Sequence, residues 1–381
     1  MIHFVVPEAG IFSIHNYLGA EGRTLAPRMR ALPYESFLRA PALETGTWIF
    51  AAIDQLCPAE RDIIAQACDT LRAHATDCRA LNDPRRVRLR SDLLATMHSA
   101  GINRFRAFTS GQLEQPGLRA SLCYPVFVRE ADQHTGNLSP LLHNEAALEA
   151  ALFSLRLRGL RAPDLLIVEF CDTADAQGVY RKYSAFRVGD AILPRYLNFS
   201  THWMIKHNTR LYDLEWADEE LAYLFDNPHE AWLRTVFDLA GIEYGRIDYG
   251  MAGDTPQLWE INTNPTIGRA GVRRQRPPDV EAYRNRIAGG RERFYACFTE
   301  AWLQLDPAGL AVASPVPFTV PAELLARRLA EGRTRRRLRA RRRFYDRLAA
   351  FGLVRTARRL FQPALTRLAA RTARTPIHPH A

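Results

Sequence analysis

The chain has 381 residues, 47% hydrophobic and 10% aromatic, which allows two or more lobes with a substantial core and argues against a disordered or fibrous protein. Its net charge of +10 is uneven: between Arg327 and Arg374 seventeen arginines face only Glu331 and Asp346, so the rest of the chain is net acidic and only the C-terminal part is basic. No stretch reads as a signal peptide or a membrane span, and six scattered cysteines without a C-x-x-C pair argue against a disulfide or zinc framework, so reduced thiols in a cytoplasmic protein are expected.

Residues 2–6 (Ile-His-Phe-Val-Val) lack alternation and predict a strand buried on both faces; residues 47–53 predict a second. Pro58 opens a helix to about residue 74, with Ile63, Ile64, Ala67 and Leu71 at helical spacing and Glu60 and Asp62 in its first turn. Residues 79–81 predict a third strand, ending at Asn82-Asp83-Pro84, so strand, helix and strand make a small α/β lobe that closes near residue 84. Residues 7–46 carry no clear pattern. Residues 91–100 are helical and stop at Gly101 as a C-cap, and 102–108 continue extended. Residues 124–129 form a strand ahead of the turn-rich stretch 130–137, residues 144–157 a helix, and residues 165–170 (Leu-Leu-Ile-Val-Glu-Phe) a buried strand followed by Cys171 and Asp172.

Residues 179–188 predict a strand carrying Arg181, Lys182 and Arg187, turned at Gly189-Asp190 into a returning strand, 191–196. Alternation puts Arg181 and Lys182 on opposite faces, so at most one of them points inward. Of 51 basic side chains only Lys182 and Lys206 are lysines, and Lys206, behind Trp203, reads as the better candidate of the two. Helices follow at 215–225 and 229–240, the second with Trp232, Val236 and Leu239 as its apolar stripe and Gly241 as its C-cap.

That helix leads into the most informative stretch. Residues 247–251 and 257–261 are short apolar-rich runs separated by Ala-Gly-Asp-Thr-Pro, a hairpin. With the turn centred on Asp254, Asp248 lies opposite Glu260, and Asn262 shares the face of Glu260. Directly opposed like charges are destabilising unless something bridges them. Two carboxylates and an amide oxygen are hard donors that suit Mg²⁺, which takes one or two carboxylates together with substrate phosphates. Arg246 projects from the same face, placed to stabilise negative charge there, while Trp259 and Ile261 are expected to be buried on the other face.

An Asp on one strand, Glu-x-Asn on the next and a Pro soon after resemble the ATP-grasp family of carboxylate–amine ligases, and Gly-Arg-Ile-Asp at 245–248 resembles the corresponding stretch of D-alanine–D-alanine ligases. The resemblance implies an α/β (α+β) ATP-grasp fold: an N-terminal α/β lobe (1–84), then an ATP-grasp domain (85–310) whose two α+β lobes grip ATP. A Pro-rich linker (311–321) and a basic helical tail (322–381) complete the expected order. It further implies ATP and Mg²⁺ (or Mn²⁺) as cofactors, with Asp248, Glu260 and Asn262 on the metal and Arg246 catalytic.

In the family, a strand ending in Lys precedes a glycine-rich loop over the triphosphate. Here Arg129 stands at the Lys position, which suits phosphate, and the loop 130–137 departs from the pattern with Gly136 as its only glycine, leaving His134 and Thr135 as donors. The hinge that reads adenine falls on the backbone of Glu169, Phe170 and Cys171, with Asp172 for the ribose. Lys182, Arg195 and Lys206 are the further cofactor-binding candidates, for phosphates or an acidic substrate, and residues 266–271 are expected to touch substrate. Residues 282–305 predict one long helix.

The tail has a broken apolar stripe and many arginines, Arg342 and Arg343 beside Phe344 and Tyr345 among them. Packing on the body, an acidic membrane surface and a nucleic acid through residues 327–374 are three readings of it. No Ser–His–Asp arrangement, catalytic cysteine motif, dinucleotide fingerprint or P-loop supports another enzyme class. The leading expectation is a ligase joining a small-molecule or peptide carboxylate to an amine through an acyl-phosphate. An ATP-grasp kinase of a non-carboxylate acceptor, or a nucleotide-binding scaffold with a basic tail, are the alternatives.

Overall fold

The computed structural model of the chain describes residues 1–74, 78–132, 136–206, 209–268, 277–306 and 314–350. It is a mixed α/β structure whose backbone contacts divide it into a larger unit, mainly Met1–Arg106 and Cys171–Arg328, and a smaller one, mainly residues 107–131 and 136–170 with the helix from Leu329 onward.

The larger unit opens with β1 (Ile2–Val6), α1 (Phe12–Leu18), β2 (Met29–Pro33), α2 (Tyr34–Phe37), β3 (Ala42–Leu43), β4 (Thr47–Phe50), α3 (Pro58–His74), β5 (Arg79–Leu81) and α4 (Arg90–Ser99). Strands β2, β1, β4 and β5, in that order, make a parallel sheet. Phe4 and Val6 enter one core with Ile14, Ile49 and Trp302, while Val5 enters another with Phe50, Ile63 and Leu71. Both faces of β1 are therefore covered, which is why its sequence does not alternate. The stretch 7–46, without a pattern in sequence, holds α1, β2, α2 and β3; β2 is an edge strand, so its terminal Pro33 breaks no ladder.

The smaller unit contains β6 (Ala107–Thr109), β7 (Val126–Glu130), α5 (Glu145–Leu157) and β8 (Leu165–Glu169). Its three strands pair antiparallel in the order β6-β8-β7, and of the stretch 102–108, expected to continue extended, only residues 107 and 108 lie in a strand. Asn144 caps α5 by accepting the N–H of Ala147 at 2.9 Å. Leu148, Leu152 and Leu155 bury the apolar face of that helix against Val126, Val128 and Ile167.

Back in the larger unit, β9 (Tyr180–Val188), β10 (Ala191–Ser200), α6 (Leu214–Asp226), α7 (Glu230–Ala240), β11 (Tyr244–Ala252) and β12 (Thr255–Asn262) follow. The strands form an antiparallel sheet in the order β10-β9-β11-β12. Leu233, Val236, Phe237 and Ala240 of α7 cover one face, meeting Ala185, Ile247, Tyr249, Leu258 and Ile261. The single helix expected at 282–305 is two, α8 (Pro278–Arg286) and α9 (Ala288–Gln304), broken at Ile287. Phe294, Phe298 and Trp302 of α9 pack on Phe186 and Tyr244 and also on Phe4 of the parallel sheet.

Strand β13 (Val316–Pro317), in the Pro-rich stretch, pairs with β3, and α10 (Ala322–Ala350) follows. At its start Leu324 is buried, Arg327 pairs with Asp62, and Arg328 pairs with Glu35 and Glu60. In the smaller unit Arg342 pairs with Glu130, the residue after Arg129. All six cysteines are free, and no described helix is long and apolar enough to cross a membrane.

Candidate active site

Two asparagines fix the hairpin of β11 and β12. Asn82, held at φ 62° at the end of β5, donates its amide to the carbonyl of Tyr244 at 2.9 Å and accepts from the N–H of Tyr244 at 3.0 Å. Asn103 does the same for the outer strand, donating to the carbonyl of Leu258 at 3.0 Å and accepting its N–H at 2.8 Å. Each side chain thus satisfies backbone groups of the hairpin, Asn82 at the start of β11 and Asn103 on the outer strand β12.

Asp248 does pair with Glu260, and Arg246 with Asn262. The turn is one half-step away from where the sequence centres it, because Ala252 pairs with Thr255 across Gly253-Asp254. A β-bulge between these ends restores the expected pair, with Trp259 as the extra residue on β12. That bulge also moves Trp259. A Cβ on Gly250, which shares the face of Asp248, would lie 2.4 Å from the Trp259 ring. The indole therefore sits on the face of Glu260 rather than on the buried face with Ile261, a correction that follows from the bulge breaking strict alternation.

Register places Lys182 and Ser184 of β9, Tyr196 and Asn198 of β10, Arg246 and Asp248 of β11, and Glu260 and Asn262 of β12 on one sheet face. Asp248 is its centre and is only 3% exposed. Its Oδ2 lies 2.7 Å from Lys182 Nζ, and its Oδ1 accepts from Ser184 Oγ at 2.8 Å and from Arg246 Nε at 3.1 Å. Burial alone would raise the Asp248 carboxyl, but Arg246 and Lys182 override it and hold the group below the usual carboxylate range. Burial likewise weighs against the Lys182 ammonium, and Asp248 raises it above the ordinary lysine range. The Arg246 guanidinium also lies 5.5 Å from the Tyr196 ring centroid.

Glu260 has its own cation. Arg90, buried on α4, reaches Glu260 Oε2 at 3.0 Å. The opposed acids are thus each neutralised in part by the chain itself. Asn262 accepts the N–H of Asn264 at 2.8 Å, which uses one lone pair of its amide oxygen. Two carboxylates and an amide oxygen on adjacent strands fit a hard divalent ion by donor chemistry, and among the described residues no cluster of three His, Cys, Asp or Glu side chains offers a different set.

The other expected residues are distributed as follows. Arg181, on the opposite face to Lys182, pairs with Asp175 and Glu219. Lys206 is exposed, its N–H donating to Thr209 Oγ1 at 2.9 Å; the structure brings Lys182 to Asp248 instead. Arg195 is the extra residue of a bulge in β10. In the smaller unit, Glu169 is buried and accepts the N–H of Cys123 at 2.8 Å, and the Phe170 N–H donates to the carbonyl of Pro125 at 2.9 Å. That hinge donor is thereby committed within the fold. Arg129 pairs with Leu166 in the ladder, three positions along from the Val126–Glu169 pair. In the larger unit, Cys171 Sγ lies 3.9 Å from Gln257 Oε1, and Asp172 is exposed and accepts the N–H of Ala174 at 3.1 Å. His134 and Thr135 of the loop 130–137, and residues 269–271, lie outside the described residues.

Sequence reasoning missed Arg90, Ser184 and Tyr196. Only strand alternation could have flagged Ser184, two residues beyond Lys182. Nothing local connects Arg90 to Glu260, 170 positions away.

No family model and no curated protein matches the chain. Among solved structures it is similar to a D-alanine–D-alanine ligase from Helicobacter pylori, at 12% identity over 81% of this chain and 99% of that one, with a TM-score of 0.45. It is similar to a D-alanine–D-alanine ligase from Bacillus anthracis complexed with ATP, at 11% identity over 78% and 98%, with a TM-score of 0.44. A RimK domain ATP-grasp protein from Sphaerobacter thermophilus is similar at 14% identity over 78% and 100%, with a TM-score of 0.38. The site itself rests on the sheet face described above.

Proposed function

We propose that the chain is an ATP- and Mg²⁺-dependent ligase that joins a carboxylate to an amine through an acyl-phosphate. The observation that carries the reading is the opposition of Asp248 and Glu260, with Asn262 beside them and Arg246 on the same face. Mg²⁺ (or Mn²⁺), held by Asp248, Glu260 and Asn262, would neutralise charge on the transferring phosphates.

A carboxylate oxygen of the acid attacks the γ-phosphorus and ADP leaves. The amine then attacks the acyl carbon, and inorganic phosphate leaves with the oxygen that came from the acid. Phosphoryl transfer of this kind depends on positioning and charge neutralisation rather than on covalent help from the protein. Lys182 and Arg246 fix the Asp248 carboxylate in one orientation. Arg246, with Nη2 only loosely tied to Asp248 at 3.5 Å, is the group to steady the transferred phosphoryl and the oxyanion at the acyl carbon. Arg129, the backbone of Glu169 and Cys171 with the carbonyl of Phe170, and Asp172 are proposed for the nucleotide.

Incubation with ATP, Mg²⁺, hydroxylamine and a panel of amino acids and short peptides tests the reading. Hydroxamate with ADP is the expected product. ADP with a phosphorylated acceptor would make the chain a kinase, and nucleotide binding without turnover would make it a scaffold.

A further inference from the structure

Several arginines on or beside the antiparallel sheet have a carboxylate. Arg90 pairs with Glu260, Arg181 with Asp175 and Glu219, Arg187 with Asp238, Arg210 with Glu220, and Arg246 with Asp248. Arg195, on β10, has none. Its guanidinium lies 4.4 Å from the Phe294 ring centroid and 4.9 Å from that of Tyr295. Its Nη2 donates to the Tyr295 hydroxyl at 2.9 Å and to the carbonyl of Ile267 at 3.2 Å. These contacts hold the group in place without neutralising it. Among the described residues no acid comes within ion-pair distance of it.

The electrostatic surroundings sharpen the point. Burial weighs against the Arg195 charge, and Arg291 and Arg246 add to the positive field, opposed chiefly by the Tyr295 and Tyr196 hydroxyls. Glu220, whose carboxyl feels Arg195, is committed to Arg210 at 2.9 Å and to the Tyr283 hydroxyl at 2.6 Å. A partly buried cation without a counterion is costly. Here the cost is accepted at a bulge, a device that re-aims a side chain, and next to Tyr196 of the active face. Nη2 is used up, while Nε–H and Nη1–H₂ make no hydrogen bond among the described residues. Ile267, whose carbonyl Nη2 meets, follows Asn262 and Pro265 in the chain.

We propose that Arg195 binds a second carboxylate of the acid substrate, so that the acid is at least a dicarboxylate with one group activated and the other held here. The proposal rests on the ligase reading only for what the bound acid then undergoes. Stacking on Phe294 and Tyr295 fixes the guanidinium plane beforehand, which suits recognition of a planar carboxylate.

Calorimetric titration of the full chain with glutarate and with butyrate tests it without turnover. Wild type is expected to bind glutarate at least about tenfold tighter than butyrate, as one charge-assisted hydrogen bond allows. Arg195→Gln should remove that preference with the affinity for ATP unchanged, and Arg195→Lys, which keeps the charge and the fold but not the fork, should retain part of it. Equal binding of the two acids by wild type would overturn the proposal, as would an unchanged preference in Arg195→Gln. Weakened ATP binding with glutarate unaffected would assign the group to the triphosphate instead. If glutarate is preferred but yields no hydroxamate with ATP and hydroxylamine, the ligase reading fails and the Arg195 site stands.

Discussion

Lys182 Nζ lies 2.7 Å from Asp248 Oδ2, on a residue only 3% exposed, and this ion pair makes the proposed metal ligand part of the fold's own charge balance. Asp248 is also bonded to Arg246, so removing its charge leaves two cations facing each other. Asp248→Asn should therefore destabilise the chain by about 3–5 kcal/mol in denaturant unfolding, beyond any loss of activity. Lys182→Met should cost less, since Arg246 remains. The Asp248 carboxyl is held low in the folded state, so its contribution is present above the ordinary carboxylate range and lost as pH falls below it. Unfolding midpoints of wild type and Asp248→Asn should converge in strong acid. A fold-neutral Asp248→Asn would show that the pair is not as drawn.

Cleaner probes of metal binding lie on β12, where side chains are less buried. Glu260→Gln and Asn262→Ala should each weaken Mn²⁺ binding in the presence of ATP by about 10–100-fold, read by electron paramagnetic resonance; melting temperature should change little in Asn262→Ala and fall in Glu260→Gln, which leaves buried Arg90 without that carboxylate. Wild-type Mn²⁺ affinity in both variants would remove these residues from the metal.

Gly250 has no room for a side chain. A Cβ there would sit 2.4 Å from the Trp259 ring, so Gly250→Ala must push the indole off the bulge. We expect a loss of about 1–3 kcal/mol in stability and a red-shifted tryptophan emission. An unchanged spectrum and stability would contradict the placement of Trp259 on the active face.

His3 provides a pH signature remote from the site. It stacks on Trp48 at 4.3 Å, and burial, against the pull of Glu44, lowers it from 6.5 to about 4. The unfolded chain thus takes up a proton at a higher pH than the folded one. Stability from this group is complete above pH 6.5 and falls as pH drops from 6.5 toward 4, by roughly 3 kcal/mol at most. His3→Phe should flatten that part of the profile; an identical slope in the variant would contradict the assignment.

The hairpin was legible because register and pleat are local: two runs, a turn and period-two alternation are enough to oppose Asp248 and Glu260. The route to that pair was not legible, since the bulge at Trp259 compensates a turn displaced by half a step, and a bulge leaves no mark in composition. The same holds for Arg195, whose bulge decides where its side chain goes. Choosing between Lys182 and Lys206 needed the ladder that sets β9 beside β11, information no window around either lysine contains. The break at Ile287 went unread although Gly289-Gly290 follow it closely, and Gly290 is required by close packing on Leu224, where a Cβ would lie 2.8 Å from Cδ1. What was missed is long-range, as with Arg90 on Glu260.

The central claim is that a carboxylate is activated by phosphoryl transfer at the Asp248–Glu260 face. Turnover of a heavy-oxygen-labelled acid with ATP, Mg²⁺ and hydroxylamine tests it directly, by mass spectrometry of the phosphate released. The account predicts one labelled oxygen in each inorganic phosphate formed, and no labelled phosphate from Glu260→Gln. Unlabelled phosphate accompanying hydroxamate, or ADP formed at the same rate without any acid, would contradict it.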